Sequence, residues 1–285
     1  MRPGVEKIVS QGRGIDHVVV AVRNLERAAE TYARLGFTLT PRARHPWGTA
    51  NRLAQFQGQN FIELLEINRP ELLFDHDRAA DPPLFSFGAF NRDFLEGGEG
   101  MSMLVLTGDD SRADVERFRA AGLKTYAPFD FERDAALPDG TTVKVAFSLA
   151  FATNTEMPRA AFFTCHNRFP ENFWKPHYQT HPNGARSVAE TVMVAEDPPR
   201  YAGFLSGFTG GRPEAIDRAI RVSCGPHLLS LLSPKTFAER FPAEDIDLST
   251  GPRFAAIVIE GPEVTAGVTP AAEACGVAIE WRRTA

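Results

Sequence analysis

The stretch that decides the fold is Gly14-Ile15-Asp16-His17-Val18-Val19-Val20-Ala21-Val22, a strand-length run of mostly β-branched residues that contains one imidazole. Asn24 follows as a helix N-cap ahead of apolar residues at helical spacing, and Gly36 closes that helix. Three further strand-like segments, set apart by proline and glycine, follow at 37–43, 50–57 and 60–67. This part of the chain therefore predicts a βαβββ unit.

The same order recurs along the chain, with further units starting at Met101, Ser187 and Arg253. The helix end Ser206-Gly207-Phe208-Thr209 of the third unit echoes Leu35-Gly36-Phe37-Thr38 of the first. The fourth unit has a strand at 253–260, a weak helix at 268–274 and a strand at 277–281, and we expect it to be truncated. We predict an α+β protein of paired βαβββ modules in two domains, residues 1–185 and 186–285.

The composition excludes several classes of protein. The chain has 285 residues, and its 36 acidic and 31 basic residues give a net charge of -5 without any basic run, so we expect no nucleic-acid partner. Its apolar runs are strand-sized, so we expect no membrane span. Three widely spaced cysteines without a CxxC pair argue against a disulfide framework or a structural zinc site. Residues 1–14 lack the apolar stretch of a secretory signal, so a cytoplasmic location is expected.

Two long inserts, 68–100 and 167–185, are rich in aromatic residues. One interpretation is a pair of lids over an apolar ligand cavity, and the other is ordinary hydrophobic anchoring of long loops. Under the first interpretation, Phe173 and Trp174 of the second insert contact the substrate.

Four short motifs, taken together with the repeated units, resemble the vicinal oxygen chelate superfamily and, within it, the glyoxalase-like domain family. The motifs are Gly14-Ile15-Asp16-His17-Val18, His45-Pro46-Trp47-Gly48-Thr49-Ala50-Asn51, Ile62-Glu63-Leu64-Leu65 and His181-Pro182-Asn183-Gly184-Ala185. The resemblance covers nearly the whole chain. It implies paired modules that curl their sheets around a cleft, where residues from several strands hold a divalent metal ion.

The resemblance implies that His17 on the first strand and Glu63 on the fourth are metal ligands. Strand alternation places both among apolar neighbours, where an imidazole and a carboxylate are costly unless they are paired or metal-bound. The alternative is a simple hydrogen bond between His17 and Glu63 inside a sheet. His45, between the second and third strands, and Asn51, at the start of the third, are predicted to contact the substrate.

The second unit matches the superfamily pattern less well. Met101 or Met103 stands at the position of His17, and Thr164 aligns best with Glu63. His166 shares a strand face with Thr164 and is predicted as the third ligand, which completes a set of two histidines and one carboxylate. Thr164 is equally compatible with the absence of a metal.

The third unit offers no metal set, because Glu190 stands at the position of His17 and Ser230 at that of Glu63. The second pair of modules is therefore expected to support the first rather than to catalyse.

Two functions follow from these residues. The first is a glyoxalase-like lyase, isomerase or dioxygenase, in which Fe, Mn, Zn or Ni binds two oxygens of a small, partly apolar substrate and stabilises an enolate or oxyanion. Glu63 either ligates the metal or acts as the base. The second is a metal-free protein of the bleomycin-resistance type that sequesters a small molecule, which the methionine at a ligand position favours. The exposed edge of the fourth unit is a possible homodimer contact.

Overall fold

A computed structural model describes residues 13–136 and 141–285. Residues 1–12, most of the segment considered for a secretory signal, lie outside the described residues. Within the described ranges, no helix combines the length and the apolar character that a bilayer crossing requires. The three cysteines are free thiols, as their spacing predicted.

The first sheet holds the first two modules. Its strands are β1 (Ile15–Ala21), β2 (Ala43–Arg44), β3 (Thr49–Gln55), β4 (Phe61–Ile67), β5 (Gly100–Thr107), β6 (Lys124–Thr125), β7 (Phe129–Ala136), β8 (Thr142–Thr153) and β9 (Ala161–Asn167). The accompanying helices are α1 (Leu25–Arg34), α2 (Phe87–Glu96), α3 (Ser111–Ala120) and α4 (Pro170–Phe173). The strand order is β2-β3-β4-β1-β5-β9-β8-β6, with β7 also paired to β8. The antiparallel pair β1 and β5 joins the two modules, while β1 and β5 each run parallel to the last strand of their own module, β4 and β9.

Matching helix ends show that the second module repeats the first. The side chain of Asn24 caps α1 by accepting from the backbone N–H of Arg27 at 3.0 Å, and Asp110 caps α3 in the same way. Gly36 and Gly122 follow the two helices with φ values of 84° and 75°, a conformation that favours glycine. Both the caps (24 and 110) and the glycines (36 and 122) lie 86 residues apart.

The second sheet holds the third and fourth units. Its strands are β10 (Ser187–Val194), β11 (Pro213–Ile216), β12 (Ala219–Cys224), β13 (His227–Leu232), β14 (Arg253–Gly261), β15 (Gly267–Thr269) and β16 (Ala278–Arg283). Its helices are α5 (Ala202–Thr209) and α6 (Pro234–Arg240). The strand order is β11-β12-β13-β10-β14-β16-β15. Again β10 runs parallel to β13 and β14 to β16, so the plan of the first sheet recurs.

The third unit's helix ends where it was predicted to, since α5 closes at Thr209, but Gly207 lies inside it and the glycine that matches Gly36 is Gly210, with a φ of 72°. A second local prediction is wrong. The helix predicted at 268–274 is instead the short strand β15 followed by a single 3-10 turn at Ala271–Glu273. Pro270, which lies between strand and turn, has no N–H to continue a helical hydrogen-bond pattern.

The two sheets share one hydrophobic core. The ring of Phe162 on β9 lies 4.9 Å from that of Phe204 and 5.2 Å from that of Phe208, both on α5. The fold class is therefore confirmed as α+β with paired modules. The division into separate domains at residue 185 stays a prediction, as does the homodimer.

Buried polar side chains also cross between the sheets. His227 Nδ1 accepts from the backbone N–H of Ile15 at 2.9 Å. The amide of Asn60 donates to the carbonyl of Val188 at 2.9 Å and accepts from the N–H of Val188 at 3.0 Å. These bonds tie the first strand of each sheet, β1 or β10, to a residue of the opposite half.

Candidate functional site

One face of the first sheet lines a cavity with about 580 Å³ of empty space, a volume that includes open solvent at its mouth. Most of its wall is apolar, and the aromatic contributors are Trp47, Phe61, Phe87, Phe131, Phe147, Phe163 and Phe173. The polar and charged contributors are His17, His45, Asn51, Glu63 and Arg133. An apolar cavity with few polar groups is typical of small-molecule sites.

Strand register places His17 and Glu63 on the same side of the sheet. In the parallel pair of β1 and β4, His17 lies beside Phe61 and Val19 beside Glu63. The imidazole stacks on the ring of Phe61, with centroids 4.3 Å apart and planes 12° apart. Both predicted residues are 5% exposed, so the prediction that they face one apolar space agrees with their placement.

The two side chains are held by separate partners. Asp16 Oδ1 accepts from His17 Nδ1 at 2.5 Å, and Asn51 Nδ2 donates to Glu63 Oε1 at 2.6 Å. The remaining atoms, His17 Nε2 and Glu63 Oε2, face each other at 3.7 Å. Because Nδ1 donates to Asp16, a neutral His17 has an unprotonated Nε2. Nε2 and Glu63 Oε2 are then two hydrogen-bond acceptors that face each other, and a proton or a ligand donor placed between them would bridge them.

The cavity changes the proton affinity of its titratable groups. Burial raises the pKa of Glu63, although His17, the bond from Asn51 and the charge of Arg133 act against that rise. Burial, with a smaller contribution from Arg133, lowers the pKa of His45 to about 3. His45 is therefore a neutral imidazole at physiological pH; it is bonded to the Thr49 hydroxyl through Nδ1 at 2.7 Å and stacked on Trp47 with centroids 4.7 Å apart.

The predicted substrate-contact residues differ in position. His45, Asn51 and Phe173 line the cavity. Trp174 is not among the lining residues; it packs against the rings of Phe173 and Phe61, with centroids 5.0 and 6.0 Å away. The structure therefore brings together three of the four residues, and Trp174 supports the wall from behind.

Several cavity residues lie on elements that the sequence pattern did not predict. Phe131 and Arg133 come from β7, for which no strand was predicted, and Phe87 comes from α2, a helix inside the insert 68–100. Asp16, the hydrogen-bond partner of His17, lies at an irregularity in the register of β1 against β5. The sequence pattern assigned it no role of its own. The alternation of Phe129, Phe131 and Arg133 was a usable strand signal.

The second module contributes apolar residues where the first has His17 and Glu63. Applying the offset of 86 residues, Met103 corresponds to His17 and Val105 to Val19; Val105 pairs with Phe163, just as Val19 pairs with Glu63. The equivalent of Glu63 is therefore Phe163 rather than Thr164, which corrects the prediction by one residue.

The predicted third ligand, His166, is not brought to the cavity. It shares a strand face with Thr164, whose hydroxyl donates to Asp114 of α3 at 2.6 Å on the helix side of the sheet. The residues of β9 that line the cavity are Phe163 and Cys165. The set of His17, Glu63 and His166 is therefore not formed, and this prediction is corrected.

The remaining donors do not fit a resident divalent ion. Sites for Zn and for non-haem Fe take three or more protein ligands, whereas in the part of the chain that the structure describes only His17 Nε2 and Glu63 Oε2 converge. Among residues 13–136 and 141–285, no three His, Cys, Asp or Glu side chains are grouped to hold a metal. The guanidinium of Arg133, which interacts with the Glu63 carboxylate, adds a positive charge to the same cavity. The Asp16 contact to His17 does resemble the outer partner of a metal-bound histidine, but it does not supply the missing ligand.

In the second sheet, the equivalent face is closed by an ion-pair cluster. Glu190, which is 1% exposed, accepts from Arg240 at 2.8 and 2.9 Å, and Arg282 lies 3.3 Å from the same carboxylate. Burial acts to raise the pKa of Glu190, but the bonds and charge of Arg240 outweigh it and hold the pKa below its usual value. Arg240 belongs to α6, so the Glu190 carboxylate is engaged in an ion pair between this helix and β10.

Comparison with known proteins agrees with this architecture. A family model described as a glyoxalase-like domain matches residues 15–209, more than half of the chain, and the chain belongs to this family. A search of curated proteins found no match.

Two solved structures illustrate the fold. A hypothetical protein from Staphylococcus aureus is 14% identical, with a TM-score of 0.70 over 95% of this chain and 99% of that one. A mutant of 4-hydroxymandelate synthase from Streptomyces coelicolor is 10% identical, with a TM-score of 0.50 over 87% of this chain and 71% of that one. At these identities the likeness concerns the fold alone.

Proposed function

We propose that this protein binds a small, partly apolar molecule in the cavity of its first two modules, without a resident metal ion. The observation that carries the proposal is the cavity itself, an aromatic space in which His17, Glu63 and Asn51 gather their polar atoms on one side. Aromatic walls favour an apolar ligand body, and a few fixed polar atoms orient it.

The free oxygen of Glu63 indicates which group the ligand presents there. Its Oε1 is taken by Asn51, whereas Oε2 faces His17 Nε2 at a distance too long for a hydrogen bond. A hydroxyl of the ligand would donate its single proton to Oε2 and lie beside Nε2. Such a bond to a charged acceptor contributes about 1.5–3 kcal/mol, or roughly 10- to 150-fold in affinity.

Proton transfer at Glu63 is the second candidate function. A carboxylate whose pKa is raised by burial is better matched to general-base work near neutral pH than an exposed one. Glu63 Oε2 would accept a proton from a carbon next to a ligand carbonyl, and the electron pair of the broken C–H bond would move onto that carbonyl as an enolate. The proton would then return from Glu63 to the same or the neighbouring carbon, which makes the reaction class an isomerisation.

Metal-independent binding is tested by a ligand screen with and without a chelator. A library of small hydroxy and keto compounds with apolar bodies is screened by ligand-observed NMR against the parent protein before and after EDTA treatment. We expect bound compounds to survive chelation and to lose at least tenfold in affinity in Glu63→Gln and His17→Gln. The exposed residues Glu196 and His177 provide matched controls, Glu196→Gln and His177→Gln.

Two results would contradict the proposal. Binding that disappears with EDTA and returns on addition of a single divalent metal would support the metal-dependent alternative. If Glu63→Gln weakens the binding of no compound in the library, the cavity is not a ligand site. Exchange of a carbon-bound proton for deuterium in a bound keto compound, lost in Glu63→Gln, would separate the enzyme from the binding protein.

A further inference from the structure

Arg133 brings a positive charge into the aromatic cavity from the second module. It lies on β7, and the alternation of that strand places it on the same face as Phe131, another lining residue. Arg133 pairs with Val145 on the adjacent strand β8, and Phe147 of the same strand also lines the cavity. The guanidinium therefore approaches the ligand space from the wall that faces the first module.

This guanidinium has no carboxylate bonded to it. Among residues 13–136 and 141–285, no Asp or Glu forms an ion pair with Arg133, and its buried Nε has no hydrogen-bond partner. Arg42 and Arg240, which are also partly buried, contact carboxylates directly, whereas Arg159, outside this cavity, has unpartnered guanidinium nitrogens as well. Burial lowers the pKa of Arg133, and only the charge of Glu63 acts against this effect. An arginine remains protonated under these conditions, so the cavity holds a cation with unused donors.

Unused guanidinium donors in an apolar space match one ligand group best. A carboxylate accepts two parallel N–H bonds from a guanidinium, and the low-dielectric surroundings strengthen that pairing. A phosphate dianion would need further cationic or backbone donors, but Arg133 is the one Lys or Arg among the described residues that line this cavity. The nearby Glu63 carboxylate would also repel a second negative charge.

We infer that Arg133 is the residue that selects the ligand, and that this ligand is a small carboxylic acid with an aromatic or otherwise apolar body. The inference rests on the proposed function, because it assumes that the cavity binds a small molecule. The carboxylate of the ligand pairs with Arg133, its apolar body contacts the phenylalanine walls, and a polar group beyond it reaches Glu63 and His17.

Matched acid and amide probes test this directly. Phenylacetate, 3-phenylpropionate and cyclohexylacetate are each titrated by calorimetry beside the corresponding primary amide, which has nearly the same shape but no charge. The proteins are the parent, Arg133→Met, Arg133→Lys and the control Arg221→Met, which replaces an exposed strand arginine. Thermal unfolding of each variant shows that it is folded.

We expect the parent to prefer at least one acid over its amide by tenfold or more. Arg133→Met removes that preference and leaves amide affinity within about threefold, Arg133→Lys retains part of it, and Arg221→Met retains all of it. A preference that persists in Arg133→Met, or equal binding of acids and amides by the parent, would overturn the inference while the proposed function stands. If neither acids nor amides bind the parent, both the inference and the proposed function fail for ligands of this size.

Discussion

The substitution Glu63→Gln tests whether the cavity holds a carboxylate that is disfavoured by burial. Glutamine has nearly the same size and retains an oxygen that accepts the bond from Asn51 Nδ2, so the packing of the wall is preserved. It removes only the ionisable group, which is 5% exposed in the folded protein. The effect of the change is therefore an effect of charge.

The sign of the effect follows from the direction of the pKa shift. Burial raises the pKa of Glu63 above its ordinary value of 4.5. Between that value and the folded-state pKa, the folded chain holds a proton that the unfolded chain has lost, so the free energy of unfolding falls as pH rises through this window. Each unit by which the pKa is raised corresponds to about 1.4 kcal/mol. The free energy of unfolding of Glu63→Gln, relative to that of the parent, should therefore rise from pH 4.5 upward and become constant above the folded-state pKa of Glu63.

The assay is urea unfolding of the parent, Glu63→Gln and Glu196→Gln at half-unit steps between about pH 4.5 and 8, in buffers without added metal. Glu196→Gln, an exposed control, should follow the parent at every pH. A difference between parent and Glu63→Gln that does not vary with pH would refute the argument from burial. A parent that gains stability over the variant as pH rises would show that the carboxylate is stabilised in the folded state, as a bound divalent ion would do.

Three further substitutions test other parts of the structure. Burial lowers the pKa of His45 to about 3, so the free energy of unfolding falls as pH drops below the ordinary value of 6.5. His45→Gln should reduce that loss by up to about 1.4 kcal/mol per pH unit in urea unfolding. An unchanged slope of the free energy of unfolding against pH would contradict this. Glu190→Gln should cost about 1.5–3 kcal/mol, because Arg240 loses the negative charge of Glu190 and keeps that of Glu280, and should not alter ligand affinity; a cost under about 1 kcal/mol would contradict the assignment. Asn60→Ala should cost about 2–4 kcal/mol and accelerate amide exchange at Val188; protection equal to the parent would show that this bridge does not couple the sheets.

Exposed residues of the same types provide the controls for these variants. They are His177→Gln, Glu239→Gln and Gln57→Ala, each on the surface of the described chain. Each control should change the free energy of unfolding by less than about 0.5 kcal/mol.

The first module was predictable because its signals are local and agree with one another. The β-branched run that contains His17, the Asn24 cap and Gly36 each specify the next element, and the structure has them in that order. The placement of Glu63 beside β1 followed from the family resemblance, since parallel pairing across 44 residues is not visible in local sequence.

The third metal ligand was mispredicted because a strand has a side-chain period of two. Aligning Thr164 instead of Phe163 with Glu63 moves every assigned side chain of β9 to the opposite face, which brought His166 into the proposed set. Sequence alone gave no means of detecting a shift of one residue in an apolar strand. The offset between the helix caps of α1 and α3 removes the ambiguity only together with the register of β5 against β9, in which Val105 pairs with Phe163.

Arg133 was missed because β7 has charged residues at alternate positions and no β-branched residue in Phe129–Arg133. Its aromatic residues are nevertheless two apart, which is the spacing of a strand face. The helix α2 was hidden for a related reason, since Phe85, Phe87 and Phe94 suggested a loose aromatic loop although Ser86 is an N-cap that accepts from the N–H of Ala89 at 3.1 Å.

Elemental analysis of gently purified protein, beside His17→Ala and Glu63→Ala, tests the central claim most directly. Among the described residues, only two metal-ligand atoms, His17 Nε2 and Glu63 Oε2, converge in this cavity, which also contains the positive charge of Arg133. We therefore predict less than about a tenth of an equivalent of Fe, Mn, Zn or Ni in the parent. The metal content should be the same in both variants and should not rise after incubation with divalent ions. A near-stoichiometric metal in the parent that both variants lose would contradict the account. It would establish a metal centre at His17 and Glu63 in place of a metal-free ligand cavity.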